Sequence, residues 1–239
     1  MWDVSSARQS WVCVAPFIGA QVWLIPLPDA EQSVSRDTLA CLSEAEHQRA
    51  LRFTRRHDAC RYQAAHAALN VLLAERLHRE PAALAMQASA HGKPELIPPS
   101  LRFNLSHSAG WALVAMHPDL PLGVDIEVHQ PSRDNESLGS AILTPSEWQA
   151  WARLAPSQRD AALFNAWNRK EACLKALGTG LLTPPDQVPV SVSPQADTGD
   201  WRPPLGPQVN WTDLILPVHQ AHSASLAWIS VNICTFFSR

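Results

Sequence analysis

Three short stretches of this 239-residue chain carry groups that could handle phosphate and a hard cation. The first is Gly123-Val124-Asp125-Ile126-Glu127. Alternate residues of an extended chain share a face, so Asp125 and Glu127 point together while Val124, Ile126 and Val128 point into a core. Two carboxylates that close repel unless something neutralises them. Oxygen ligands on one face suit magnesium, which takes one or two carboxylates plus substrate phosphate. A solvated strand face would show the same pattern. The second stretch is Phe164 to Lys175. Helical spacing places Phe164, Trp167 and Leu174 on an apolar stripe with Glu171 among them, and Lys175 follows one turn later. A charge on a buried face needs a partner; an exposed Glu–Lys pair at i,i+4 is the competing reading. The third is Phe103-Asn104-Leu105-Ser106-His107-Ser108, with Gly92-Lys93-Pro94 upstream. Neighbours on an extended chain point to opposite sides, so Ser106 and His107 do not form a nucleophile–base pair, and no G-x-S-x-G elbow occurs. Hydroxyls, an imidazole and a lysine make a phosphate cradle; a polar strand end satisfied by hydrogen bonds fits equally well.

The elements that must position these groups are legible in outline. Gln21 to Leu27 reads as a strand, with Pro26 favouring an edge. Ser43 and Glu46 form a capping-box pattern that starts a helix running to about Phe53. A second helix covers roughly Asp58 to Arg79, with Ala65, Leu69, Leu72 and Leu73 as its apolar stripe and Pro81 as its stop. Leu101 to Leu105, Trp111 to Met116 and Leu122 to Val128 are strands separated by Gly110 and by the Pro118 to Pro121 stretch. Thr144, Pro145 and Glu147 open another helix. A long helix spans about Ser157 to Leu177 and ends at Gly178. Ser193 to Asn210, rich in Pro, Gly and Asp, reads as a loop, and Ser225 to Phe237 as a closing strand. The order suggests two α+β halves, residues 1–119 and 120–239.

Composition excludes several classes. Hydrophobic residues are 46% and charged residues 17%, a globular balance. A net charge of −3 gives no broad attraction to nucleic acid or anionic lipid. No apolar run is long enough for a signal peptide or membrane span. Cys13, Cys41, Cys60, Cys173 and Cys234 are scattered and odd in number, which fits reduced thiols and a cytoplasmic protein. The 19 basic residues divide into 16 arginines and the three lysines Lys93, Lys170 and Lys175, and those three lie inside the stretches above.

Taken in order, the blocks resemble the 4′-phosphopantetheinyl transferases of the large monomeric class, the kind that activates surfactin synthetase. The family pattern reads GKP, F-N-x-S-H-S, G-I/V-D-I/V-E and W-x-x-K-E-A/S-x-x-K-x-x-G-x-G-L/M. This chain has GKP at 92–94, FNLSHS at 103–108, GVDIE at 123–127 and WNRKEACLKALGTGL at 167–181. The resemblance covers about residues 40 to 190. It implies an α+β fold of two similar halves related by a pseudo-twofold, with the active site between them. It implies Asp125, Glu127 and Glu171 as magnesium ligands, and Glu171 and Lys175 as the catalytic pair, Lys175 beside the pyrophosphate. It implies Ser106 and His107 on the 3′-phosphate of coenzyme A. Lys93, Lys170, Arg52 and Arg61 are the further cofactor contacts. Many relatives carry additional arginines on the second helix, where this chain has His66 and Asn70. In a chain this poor in lysine, Lys175 is expected to move a proton as well as to attract phosphate. The expected partners are coenzyme A and an acidic apo acyl or peptidyl carrier protein docking near Arg153, Arg159 or Arg169. Nucleic acid and membrane are not expected partners, and the protein is expected to be a monomer. A metal-dependent nucleotide phosphohydrolase and a non-catalytic coenzyme A or carrier-binding module are the alternatives.

Overall fold

Alternation within each strand decides which layer its side chains join. A computed structural model describes residues 1–17, 19–129, 135–218 and 222–230. The elements up to residue 117 are α1 (Val4–Ala7), β1 (Val12–Phe17), β2 (Ala20–Pro26), α2 (Arg36–Ala40), α3 (Glu44–Ala50), α4 (Arg56–Leu77), β3 (Met86–Ala88), β4 (Pro94–Leu96), β5 (Arg102–Ser108) and β6 (Trp111–His117). They are followed by β7 (Leu122–Val128), α5 (Asn135–Ile142), α6 (Pro145–Ala152), α7 (Pro156–Leu177), β8 (Thr198–Trp201), β9 (Val209–Asp213) and β10 (His222–Ile229). Two four-stranded sheets form, ordered β1-β2-β6-β5 and β7-β10-β9-β8, and every pairing in them is antiparallel. The mixture of helices with antiparallel sheets is the α+β class.

On β6, Ala112, Val114 and Met116 pack with Ala65, Leu69, Leu72 and Leu73 of α4. Leu113 and Ala115 face the other way, with Val22 and Leu24, and meet Leu122, Val124 and Ile126 of β7 and Leu226 of β10. The far side of the second sheet packs Trp211 and Ala227 against Ala172, Cys173, Leu174 and Ala176 of α7. The layers are therefore α4, first sheet, second sheet, α7. Because the even residues of β7 fill the core between the sheets, its odd residues Asp125 and Glu127 look toward α7.

The helix starts follow the local chemistry. Ser43 with Glu46 and Thr144 with Glu147 both form complete capping boxes. Gly178 ends α7 in the left-handed conformation, and His78 does the same for α4.

Three expectations need correcting. β2 is not an edge strand; it lies between β1 and β6. Pro26 is tolerated there because the β1 ladder stops at Val12↔Leu24, so no partner on that side requires its missing N–H. The 193–210 segment is not all loop: β8 forms within it, held by pairing with β9 rather than by its own polar sequence. Of the expected apolar stripe of α7, Leu174 is buried, whereas Phe164 and Trp167 are only half-buried at its margin; the fully buried stripe carries Ala162, Leu163, Ala166, Ala172, Cys173, Leu174 and Ala176. The expected closing strand is present as β10, His222 to Ile229; its expected residues 231–237, with Cys234, lie outside the described residues. No helix among the described residues is long and apolar enough to cross a membrane.

Candidate active site

Small residues let α7 lie directly on the second sheet, and that contact builds the cleft. At Gly123 a Cβ would fall 2.3 Å from the carbonyl oxygen of Ala172 and 2.4 Å from the amide nitrogen of Ala176. The helix backbone thus rests on β7 where glycine leaves room for it. Two residues along β7 stands Asp125, and the same helix carries Glu171 and Lys175. A cleft results, lined by Ser106, His107, Asp125, Glu127, Trp167, Glu171 and Lys175.

Asp125 is 3% exposed. Its Oδ1 accepts from Lys175 Nζ at 2.5 Å and from Ser106 Oγ at 2.8 Å. Its Oδ2 is buried with no hydrogen-bond partner. An orphaned carboxylate oxygen in the interior is costly, and it is the kind of atom a cation satisfies. Glu127 accepts from Ser108 Oγ at 2.8 Å. Burial, opposed by the Ser108 hydrogen bond and reinforced by the Asp125 charge, holds its carboxyl above the usual range. Burial likewise pushes Glu171 up, against the pull of Lys175 and with the repulsion of Asp125 and Glu127. Three mutually repelling acids around one unsatisfied oxygen fit a small hard cation that keeps several waters. Among the described residues no three His, Cys, Asp or Glu side chains are already gathered at metal-binding distance; Lys175 supplies the positive charge on Asp125.

Other expected site residues fall less uniformly. His107 is exposed at the cleft, and burial of the strand around it, with His66, Lys175 and Arg61 nearby, lowers its pKa. Arg61 is half-buried on α4 and donates to the Pro28 carbonyl at 3.3 Å. Arg52 is exposed in the turn after α3. Ser106 is engaged in full: its hydroxyl donates to Asp125 and accepts from Lys175 Nζ at 3.1 Å and from the Ile126 amide at 3.4 Å. One donor and two acceptor sites are all a serine has, so no donor is left for a phosphate in this arrangement.

Two of the lysines do not enter the cleft. Lys93 donates to the carbonyls of Leu122 at 2.8 Å and Lys175 at 2.6 Å, and burial pushes its amine down to about 8. It ties the GKP turn to β7 and α7. Lys170 is fully buried and donates to Glu147 at 2.7 Å and to the carbonyls of Pro185 and Val188. Arg169, a candidate for carrier docking, is also fully buried, paired with Asp213 and hydrogen-bonded to the carbonyls of Ser191 and Gln195. Arg159 spends its guanidinium on the carbonyls of Leu154 and Ala152, leaving Arg153 exposed. The consecutive Arg169-Lys170 pair thus anchors the 185–195 segment along α7. His66 and Asn70, where arginines were looked for, both bond Glu46, at 2.9 and 3.0 Å.

With this geometry in view, comparison with known proteins defines the class. A family model described as the 4′-phosphopantetheinyl transferase superfamily matches residues 121–222, and one described as its N-terminal part matches residues 29–119. The chain belongs to the 4′-phosphopantetheinyl transferase superfamily. It is 33% identical over 186 residues to the 4′-phosphopantetheinyl transferase HetI of Nostoc sp., a match spanning 72% of this chain and 78% of that one. It is 28% identical over 154 residues to a 4′-phosphopantetheinyl transferase of Bacillus subtilis, covering 64% and 67% of the two chains. An L-aminoadipate-semialdehyde dehydrogenase-phosphopantetheinyl transferase of Rattus norvegicus is 26% identical over 197 residues, covering 77% and 64%.

Proposed function

We propose that this enzyme moves the 4′-phosphopantetheine group of coenzyme A onto a serine of an apo acyl or peptidyl carrier protein, giving holo carrier protein and 3′,5′-ADP, in the manner of the large surfactin-synthetase-activating class. The observation that carries this reading is the convergence of Asp125, Glu127, Glu171 and Lys175 in one cleft, with Asp125 Oδ2 unsatisfied. We assign Asp125, Glu127 and Glu171 to a magnesium ion, which when bound offsets negative charge on the pyrophosphate. His107, which lines the cleft, and Arg61, whose charge acts on it, attract the nucleotide end, with Arg52 as a further contact. Lys175 draws the pyrophosphate toward Asp125 and moves a proton. In the reaction the carrier serine oxygen bonds to the β-phosphorus as the bond to the ADP oxygen breaks. The serine proton ends on the departing 3′,5′-ADP phosphate with Lys175 as its carrier, and the rest of the enzyme's work is positioning and charge stabilisation.

The same reading divides the chain at residues 1–119 and 120–239 into halves related by a pseudo-twofold. Each contains a four-stranded antiparallel sheet and one 22-residue helix, which supports it. It also treats the protein as a cytoplasmic monomer.

Incubation with coenzyme A, magnesium and an apo carrier protein should add one phosphopantetheine to the carrier by mass, and EDTA should abolish the gain. Release of phosphate without a carrier would select a phosphohydrolase instead. In the same assay Lys175→Arg should retain much of the coenzyme A affinity and lose turnover by about 10²-fold or more, the lower end of what a positioned proton carrier contributes. An arginine variant turning over at the native rate would reduce Lys175 to an electrostatic clamp.

A further inference from the structure

The strand that carries Asp125 and Glu127 has one edge paired in a ladder and one that is not. β7 pairs with β10 along its whole length, from Leu122 to Val128. Its other edge faces β5, which belongs to the first sheet, and the two form no ladder. Buried N–H groups on such an edge need acceptors. They find them in side chains. Asn104 Oδ1 accepts from the Val124 amide at 2.9 Å, Ser106 Oγ from the Ile126 amide at 3.4 Å, and Ser108 Oγ from the Val128 amide at 3.2 Å. The three acceptors alternate along β5 and so share one face. They form a side-chain ladder that joins the two sheets.

The rungs are not equivalent. An amide oxygen only accepts, and Asn104 makes no hydrogen bond to a carboxylate among the described residues. A hydroxyl accepts with its lone pairs and still has a hydrogen to give. Ser106 gives its hydrogen to Asp125, and Ser108 gives its hydrogen to Glu127 Oε2 at 2.8 Å. Ser106 also carries Lys175, which mixes its effects with those of the lysine. Ser108 has no such second role: it holds the Val128 amide on one side and Glu127 on the other.

We propose that Ser108 is a positioning residue, whose hydroxyl, fixed by the joint between the sheets, orients Glu127 for the cation. This rests on the assignment of Glu127 to the metal. A carboxylate with one oxygen engaged by a fixed O–H donor presents its other oxygen in a defined direction, and groups of this kind around ligands typically change metal affinity by about 10–100-fold when removed. The joint between the two sheets thereby sets the cation affinity of the cleft.

The test is binding of manganese ion, used as a paramagnetic stand-in for magnesium, to the full chain in the presence of coenzyme A, with thermal unfolding of the metal-free protein measured alongside. Ser108→Ala should weaken manganese binding by about 10-fold or more. Ser108→Thr, which keeps the hydroxyl, should bind within about twofold of the native protein, a small change against the 10–100-fold expected for loss of the donor. Asn104→Ala removes a rung that bears no carboxylate, so it should lower the melting temperature and leave manganese affinity unchanged. If Ser108→Ala does not fold, Ser108→Cys, with its weaker S–H donor, carries the same comparison. Native manganese affinity in Ser108→Ala, with Glu127→Gln impaired, overturns the proposal and leaves Ser108 as a joint residue only. Native affinity in Glu127→Gln overturns the assignment of Glu127 itself. Equal loss of affinity in Asn104→Ala and Ser108→Ala also overturns the proposal, because the effect would then come from loosening the joint.

Discussion

Asp125→Asn is expected to leave a folded protein whose transfer rate is lower by at least about 10²-fold, the loss usual when one preorganised charge-stabilising group is removed from an active site. The substitution is nearly isosteric. Asn keeps an oxygen to accept from Ser106 and Lys175, which now bond Oδ1 at 2.8 and 2.5 Å. It removes the charge that opposes the Lys175 ammonium, and it replaces the unsatisfied Oδ2 or its neighbour with an N–H₂ group that cannot ligate a cation. Near-native transfer by Asp125→Asn in a carrier-modification assay would exclude the carboxylate from the reaction. A second readout follows from charge. Glu127 and Glu171 both titrate above the ordinary glutamate value of 4.5, burial being the main cause and Asp125 adding repulsion to each. An acid raised in the folded state contributes stability that is present below its unfolded pKa and is lost as pH rises through the folded one. The contribution of these two groups to the stability of the metal-free protein should therefore fall as pH rises above about 4.5, the ordinary glutamate value, and magnesium should offset that loss. With Asp125 neutral that pH dependence should be flatter.

Gly123→Ala should be the most destabilising single methyl that can be added to this fold near the site. The new carbon would sit 2.3 Å from the Ala172 carbonyl oxygen, 2.4 Å from the Ala176 nitrogen and 2.7 Å from Lys175 Cβ. Two of these are backbone atoms of α7 and have no rotamer to change. Overpacking typically costs about 1–3 kcal/mol, and a clash with a helix backbone belongs at or above the top of that range. At about 2–4 °C per kcal/mol for a chain of this size, the melting temperature should fall by about 6–12 °C. Relief requires α7 to lift from β7, which moves Glu171 and Lys175 away from Asp125, so turnover should fall with stability. A melting temperature within about 2 °C of native, less than the effect of 1 kcal/mol, would show that the helix is free to shift without cost.

Local chemistry made much of this legible in advance. Capping boxes at Ser43 and Thr144, the glycine after Leu177 and the alternation in Leu122 to Val128 each name their element from a few neighbouring residues. The outlook of Asp125 and Glu127 toward Glu171 follows from the same alternation once α7 covers the odd face. What sequence could not give were facts that depend on a distant partner. β8 exists because β9 is beside it. Lys93 reads as a phosphate-binding cation by type and position, and the family resemblance adds Lys170, but carbonyls and a glutamate far away in the chain claim them first. Glu147 is reserved by its capping box, and nothing nearby says that Lys170 will reach it from 23 residues away. The ladder was partly visible. Asn104, Ser106 and Ser108 stand at every second position of β5, and that period marks a polar face pressed against something with hydrogen bonds to share.

The fate of the three lysines has a practical side. Every ε-amino group in the chain is already hydrogen-bonded: Lys93 to two carbonyls, Lys170 to Glu147 and two carbonyls, Lys175 to Asp125 and Ser106. Acylating reagents attack the free, unprotonated amine, so each lysine must first leave its hydrogen-bond partners to react. Lys170, shut away completely, should react only on global opening, whereas Lys175, 28% exposed, lies at the active cleft. Amine labelling followed by peptide mapping would therefore distinguish opening of the cleft from unfolding of the whole chain, and coupling to an amine-reactive surface would hold this enzyme poorly unless it first came apart.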